Sequence, residues 1–253
     1  MRDAPYALAG ILILLLAWES AARLSGSPLI IPGPVLVLGN FCTLVQSKAF
    51  WLSLLNSFWR VLLGIFIAAP LGLAAGIGSG LDRRAGALLK PLFQVIAATP
   101  VMSVILIAFL ALGQERTPVF TAFLMVFPLM AANTSEGIRA VDPGFAELFA
   151  LYRLSRRERF RYLYLPSIGP FVLAGLRSAL SLCWKVVVAA EVLVQPLRAL
   201  GTGMQQAKAQ LETAELFAWT GGTVLAAALT QVLLSAALAV CRASRQKFER
   251  RRS

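Results

Sequence analysis

Three charged residues, Arg177, Lys185 and Glu191, stand inside the otherwise apolar run Pro170–Pro196. Charge in such a segment is costly in lipid and is kept where it faces a protein interior or a wet cavity. On a helix that turns about 100° per residue, Arg177, Ser181, Trp184, Val188, Glu191 and Gln195 share one stripe. Arg177 and Glu191 would lie about 21 Å apart along it. Lys185 falls about 80° off the stripe and out of register for an i,i+4 pair with Glu191. Two chemistries are open to this set. It can line a path for a polar or charged solute, or it can hydrogen-bond to backbone and neighbouring helices and hold a bundle together. Met102 and Ser103, just after Thr99-Pro100, form a second, weaker group. A proline bend there could bring them to solute, and a simple packing kink explains them equally.

Much other chemistry is disfavoured. Histidine is absent, which removes the commonest general base and metal ligand. Cys42, Cys183 and Cys241 are far apart and form no C-x-x-C pair, so neither a disulfide framework nor a zinc site is expected. Ile77-Gly78-Ser79-Gly80 resembles a phosphate loop only superficially, because no Lys-Ser/Thr follows it and it closes an apolar run. No catalytic residue, metal site or cofactor is assigned to the chain.

The elements that must position these residues follow from composition. Of 253 residues, 58% are hydrophobic and 14% charged, against about 25% charged in soluble domains. Mean hydropathy is +0.74. So few charges cannot cover a water-soluble surface, and an all-α, multi-pass membrane protein is predicted. Five uncharged runs, with the apolar but charge-bearing run 170–196, place six spans at about 5–23, 57–80, 91–112, 117–136, 170–194 and 216–241 of a single domain, 1–253. A signal peptide is the other reading of the first run, but its basic start is weak and Trp18-Glu19 is a poor cleavage context, so a retained helix is expected. Ile30–Pro34 should be irregular and outside the membrane. Phe50–Arg60, with Trp51 and Trp59, suits a short interfacial helix. In the second span Gly64, Ala68, Gly72, Gly76 and Gly80 recur every fourth residue and form a ridge for close helix packing.

Net charge is +12. Basic residues gather at Arg2, at Arg83, Arg84 and Lys90, in the loop from Arg139 to Arg161, and at the C-terminus from Arg242 to Arg252. The opposite flanks hold fewer: Arg23, Lys48, Arg60, Arg116, Arg198 and Lys208. The positive-inside rule then puts both termini in the cytoplasm. The C-terminal RASRQKFERRRS is expected to anchor topology at anionic lipid head groups rather than to bind nucleic acid.

The loop 137–166 is the longest charged region. Asp142-Pro143-Gly144 has the form of a helix start, with Asp142 as N-cap and Pro143 first in the helix. Phe145, Leu148, Phe149 and Tyr152 then fall on one face. A short aromatic-faced helix outside the membrane is a surface for a partner, or packs on its own loop.

At these residues the chain resembles the permease subunits of binding-protein-dependent ABC importers. Their cytoplasmic loop carries E-A-A-x-x-x-G and, further on, I-x-L-P. Glu147 stands at the Glu position, and Leu163, Leu165 and Pro166 fall at the I-x-L-P spacing. Leu148-Phe149 replaces Ala-Ala, and Arg153 replaces the usual Gly. The stretch from Glu147 to Leu193, the PGP at Pro32–Pro34 and the DPG at Asp142–Gly144 resemble the nitrate/sulfonate/taurine-type branch. The resemblance covers essentially the whole chain and is most specific over 141–193.

The resemblance implies a subunit that is not itself an enzyme. Two permease copies would form the solute path. The loop would dock on two cytoplasmic ATP-binding subunits through Asp142, Phe145, Glu147, Leu148, Phe149, Tyr152, Arg153, Leu154 and Ser155. ATP and Mg would act on those subunits, in accord with the absence of GxxxxGK[ST] here. An extracytoplasmic binding protein would deliver the solute, a small anion or small organic molecule, at a bacterial plasma (inner) membrane. Arg177, Ser181, Trp184, Lys185, Val188, Glu191, Gln195 and Met102 are the expected path residues. The competing readings are an ATPase-independent secondary transporter or channel, and an integral membrane enzyme, which lacks a polar catalytic cluster.

Overall fold

The computed structural model describes the backbone of residues 4–249, and the side chains of most of these up to Ala239. Arg2 and Arg250–Arg252 lie outside the described residues, as do the side chains of 240–249, so the expected C-terminal anchor falls beyond them. The described residues form helices and connections. The helices are α1 (Ala4–Ser25), α2 (Pro34–Gln46), α3 (Lys48–Leu81), α4 (Arg83–Ala98), α5 (Val101–Arg139), α6 (Pro143–Leu151), α7 (Arg156–Arg159), α8 (Leu165–Val194), α9 (Leu200–Ala209) and α10 (Thr213–Glu249). A π-helical turn, Phe160–Tyr164, joins α7 to α8. It precedes Pro166, whose ring cannot pack against the carbonyl one α-turn back without widening the helix. Five helical stretches among the described residues are long and apolar enough to cross a membrane.

The helix boundaries differ from the sequence expectation in three places. The segment 91–112 is divided: α4 ends at Ala98, Thr99 is extended (φ −74°, ψ 127°), and α5 starts at Val101. Proline lacks an amide donor and drives the preceding residue out of helical geometry, so Thr99-Pro100 separates two helices rather than bending one. The charged Gln114–Arg116 is not a loop. It lies within α5, where helical geometry breaks only at Gly113 (φ 75°, ψ 179°), a conformation open to glycine. Phe50–Arg60 is not a separate interfacial helix but part of the start of α3, which runs from Lys48 onward past Arg60. Two helices, α2 and α9, were not expected. Proline at the first position of α2 is the signal that marks its start.

Two compact units divide the chain: Met1–Ser57 with Glu191–Ala228, and Phe58–Ala190 with Leu229–Ser253. The first is held by aromatics. Trp18 stacks on Phe217 (5.9 Å) and donates its Nε1 hydrogen to the Pro32 carbonyl (3.0 Å). Phe50 meets Phe41, Trp51 and Trp219 with centroids 5.5–6.3 Å apart. Gly203 lets α9 approach the Trp219 ring, where a Cβ would come within 2.6 Å.

In the second unit α3 lies against α5 along its small-residue ridge. A Cβ on Gly72 would stand 2.6 Å from Met130 Cβ, and one on Gly76 would stand 2.5 Å from Thr134 Cβ. Gly64 faces Ala122, Gly80 faces Ile138, and Ala68 is buried. Small residues allow this backbone approach, and dispersion between closely packed surfaces supplies attraction that lipid cannot oppose. Gly175 of α8 packs on Asn133 of α5 in the same way.

Candidate functional site

The polar groups of α8 in the second unit divide between solvent-accessible and buried positions. Arg177, Ser178, Ser181 and Lys185 are exposed, while Cys183, Trp184, Val186, Val187 and Val188 are buried. Exposure therefore runs along 174, 178, 181 and 185, one face at helical spacing. This face shares only Arg177 and Ser181 with the stripe drawn from sequence, and it takes in Lys185. Trp184 is 2% exposed and donates its indole hydrogen to Thr230 Oγ1 of α10 (3.0 Å). Gln231 of α10 donates to the Arg177 carbonyl (2.9 Å). Both contacts tie α8 to α10 inside this unit. Met102, at the start of α5, is 57% exposed.

Glu191 belongs to the first unit and is wholly buried. Its Oε2 accepts from Ser57 Oγ (2.8 Å) and from the Gly201 amide (3.2 Å). Ser57 Oγ in turn accepts from the Leu200 amide (3.0 Å). Leu200 and Gly201 open α9, so a carboxylate and a hydroxyl satisfy amides that the helix itself leaves unpaired. Gln195 ends α8 with a left-handed backbone (φ 49°), its amide bonded to the Glu191 carbonyl. Ser57 was not singled out from sequence. Nothing local marks it, since its partners are 134 and 143 residues away.

Arg60 was counted only as a flanking charge. It is buried on α3, and its Nη2 lies 2.6 Å from Glu115 Oε2. Glu115 follows the break at Gly113, whose carbonyl accepts from Thr117 Oγ1 (2.7 Å). An arginine in an apolar helix is accommodated by a carboxylate from another helix.

The loop helix α6 begins as its sequence implies. Asp142 Oδ1 accepts from the Gly144 amide (2.8 Å), with Pro143 first in the helix. Phe145 is 56% exposed, Leu148 44% and Tyr152 71%. Glu147 is exposed as well, and Phe149 is half-buried. The helix closes through the Leu154 amide on the Phe149 carbonyl (3.2 Å), with Arg153 between them at φ 52°. That is the six-to-one closure that favours glycine at the left-handed position. Ser155 then starts α7 in a capping box with Glu158. The S-x-x-E spacing is the signal by which sequence could have found it. Ser155 donates to the Glu158 carboxylate through its hydroxyl (2.7 Å) and its amide (2.8 Å). These bonds, the side-chain one first, hold Glu158 below the ordinary glutamate range. Arg159 keeps a buried Nε that has no hydrogen-bond partner.

Five apolar helices long enough to cross a membrane, with polar groups set within them, mark a multi-pass membrane protein. The family described as the binding-protein-dependent transport system inner membrane component matches residues 61–248, and the chain belongs to it. It is 30% identical over 208 residues to the bicarbonate transport system permease protein CmpB of Synechococcus elongatus, covering 77% of this chain and 73% of that one. It is 29% identical to the nitrate import permease protein NrtB of Synechocystis, covering 73% and 70%. With the taurine transport system permease protein TauC of Escherichia coli it shares 27% identity, over 84% and 79%. The crystal structure of an amino acid ABC transporter with histidines matches in fold, with TM-score 0.60, 17% identity, and coverage of 83% of this chain and 98% of that one. The protein is therefore a transmembrane permease subunit of an ABC importer, of the branch that the sequence resembles. An ATPase-independent transporter and a membrane enzyme are set aside.

Proposed function

We propose that two copies of this chain form a path for a small anion or small organic solute, with the exposed polar face of α8 along it. The observation that carries this reading is Arg177, Ser178, Ser181 and Lys185 on one accessible face of an apolar helix. A lipid-facing position for that set is energetically unfavourable. Lys185 adds a positive charge that raises the local concentration of an anion. The bicarbonate, nitrate and taurine in the relatives' names fit such a site. Trp184, Val188 and Glu191 act in this scheme by holding helices in place.

The remaining parts follow the same reading. The chain crosses the membrane six times, the end of α4 with the start of α5 up to Gly113 forming one crossing and the rest of α5 the next, with both termini in the cytoplasm. The loop of Asp142–Ser155 docks on a cytoplasmic ATP-binding subunit, one per permease copy. ATP and Mg act there, and an extracytoplasmic binding protein presents the solute. Phe145, Leu148 and Tyr152 supply apolar contact.

Thiol labelling in a variant lacking native cysteines tests the path. Cysteine at Ser178, Ser181 or Lys185 is expected to react with an aqueous reagent and to be protected by solute. Cysteine at Val187 or Val188 is expected to stay unreactive. Equal labelling at all five positions would defeat the assignment.

A further inference from the structure

The second unit contains a cavity of about 660 Å³ that the transport scheme does not use. Volumes of roughly 300–1,000 Å³ are typical of ligand sites. Its walls are one face of α4, through Lys90, Phe93 and Ala97, and one face of α5, through Met125, Leu129 and Arg139. The two helices grade oppositely along the chain. At one end of the cavity Arg139, last in α5, meets Gly86 of α4, where an added Cβ would stand 3.5 Å from its Nη2 and 2.9 Å from the carbonyl of Ser79 in the last turn of α3, and Lys90 lies about one turn further along α4. Arg139 Nη2 donates to the Ser79 carbonyl there (3.4 Å), which places the guanidinium over the turn between α3 and α4. Beyond that end the wall is largely apolar, with Leu182 of α8 completing it. Ser79, Gln94 and Ser135 are its uncharged polar side chains. No lining residue carries a carboxylate, and among the described residues neither Lys90 nor Arg139 has a carboxylate partner.

We propose that this cavity binds an acidic phospholipid, with the phosphate between Lys90 and Arg139 and an acyl chain along the apolar wall. A basic pocket between membrane helices, at the end where the helices reach the membrane surface, is chemically suited to an anionic head group. Shape decides between sources of negative charge. A small inorganic anion would meet the two cations and leave the apolar length unfilled, whereas a lipid satisfies both parts. Arg139 ends α5 four residues before α6 begins at Pro143. Bound lipid would therefore steady the root of the loop that couples to ATP hydrolysis.

The test uses the purified importer complex in phosphatidylcholine nanodiscs with and without phosphatidylglycerol, with retained lipid counted by native mass spectrometry. Lys90→Gln with Arg139→Gln is expected to lower the preference for phosphatidylglycerol about 30-fold, at about tenfold per 1.4 kcal/mol and roughly 1 kcal/mol per basic residue. Arg83→Gln with Arg84→Gln removes equal charge at the same end but outside the lining, and is expected to leave the preference intact. Ala97→Trp fills the apolar half and is expected to reduce retention without changing charge. Equal loss in both double variants would reduce the effect to surface electrostatics and overturn the site. So would displacement of the lipid by bicarbonate or taurine, which would assign the cavity to the solute path. A disulfide between two copies bearing Ala97→Cys would also overturn it, since a second permease would then close the cavity.

Discussion

Arg153 shows how one residue can both depart from a family pattern and keep its geometry. It occupies the left-handed position that closes α6, where the family's usual residue is glycine. A side chain there costs about 1–2 kcal/mol relative to a right-handed residue. Arg153→Gly is expected to stabilise the turn by about 1 kcal/mol. Slower amide hydrogen exchange at Leu154 would register it, and unchanged or faster exchange would contradict it. Glu191 illustrates the reverse case, a charge whose value is structural. Glu191→Ala leaves the Ser57 hydroxyl and the Gly201 amide without their buried acceptor, at a cost of roughly 2–3 kcal/mol. Glu191→Gln keeps an acceptor oxygen and is expected to retain transport with a smaller loss of thermal stability. A stable Gln variant with altered solute charge preference would instead put Glu191 in the path.

At the scale of elements, the loop combines two short helices of different function. The proposed contact surface belongs to α6. Phe145→Ala and Tyr152→Ala remove exposed aromatic area, and each is expected to weaken association with the ATP-binding subunit by roughly 2 kcal/mol. Membrane insertion should be normal, because neither side chain is buried in the subunit. Wild-type co-purification of both variants with the ATPase would refute the docking surface. The short α7 depends on its capping box, and that box is sensitive to acid. Glu158 titrates below its ordinary value because Ser155 donates to the ionised form. The resulting stabilisation is present at neutral pH and is lost as pH falls through the lowered value. Loop protection from proteolysis is therefore expected to be constant near neutrality and to fall in acid, and Glu158→Gln should flatten that dependence. An identical acid response in the two proteins would exclude Glu158 as its source.

For the whole molecule, orientation and the number of crossings decide which side of the membrane each surface meets. With six crossings, Gln114–Arg116 lies at the outer surface and α6 at the inner one. Cysteine placed at Gln114 is expected to react with an impermeant reagent in intact cells, and cysteine at Tyr152 only after permeabilisation. Labelling of Tyr152→Cys from outside would reverse the topology and remove the ATPase-docking role of α6. The Arg60–Glu115 pair adds a stability term to the same region. Glu115→Ala removes this carboxylate from a buried guanidinium, and because Glu115 itself is 59% exposed and solvent screens the pair, the expected cost is about 1 kcal/mol. Heat-induced loss of the folded permease should show it, and paired Arg60→Leu with Glu115→Ala should recover most of that loss.

Much of this protein was determined by local physics and so was readable along the chain. Long uncharged runs require membrane helices because lipid satisfies no backbone group. Glycine or alanine at every fourth residue makes one face of α3 small whatever lies opposite. Asp142-Pro143-Gly144 starts α6 with bonds made two residues apart. Tertiary structure decided the matters that depend on distant partners. Arg60 resembles the start of a span, yet Glu115 pairs with it across 55 residues and α3 extends on both sides of it. Glu191 and Lys185 are similar anomalies in the sequence of α8. One is buried because Ser57 and the start of α9 meet it, and the other is exposed because nothing in its own unit covers it. A helical wheel fixes the angle between two side chains, but only packing determines which angle faces solvent.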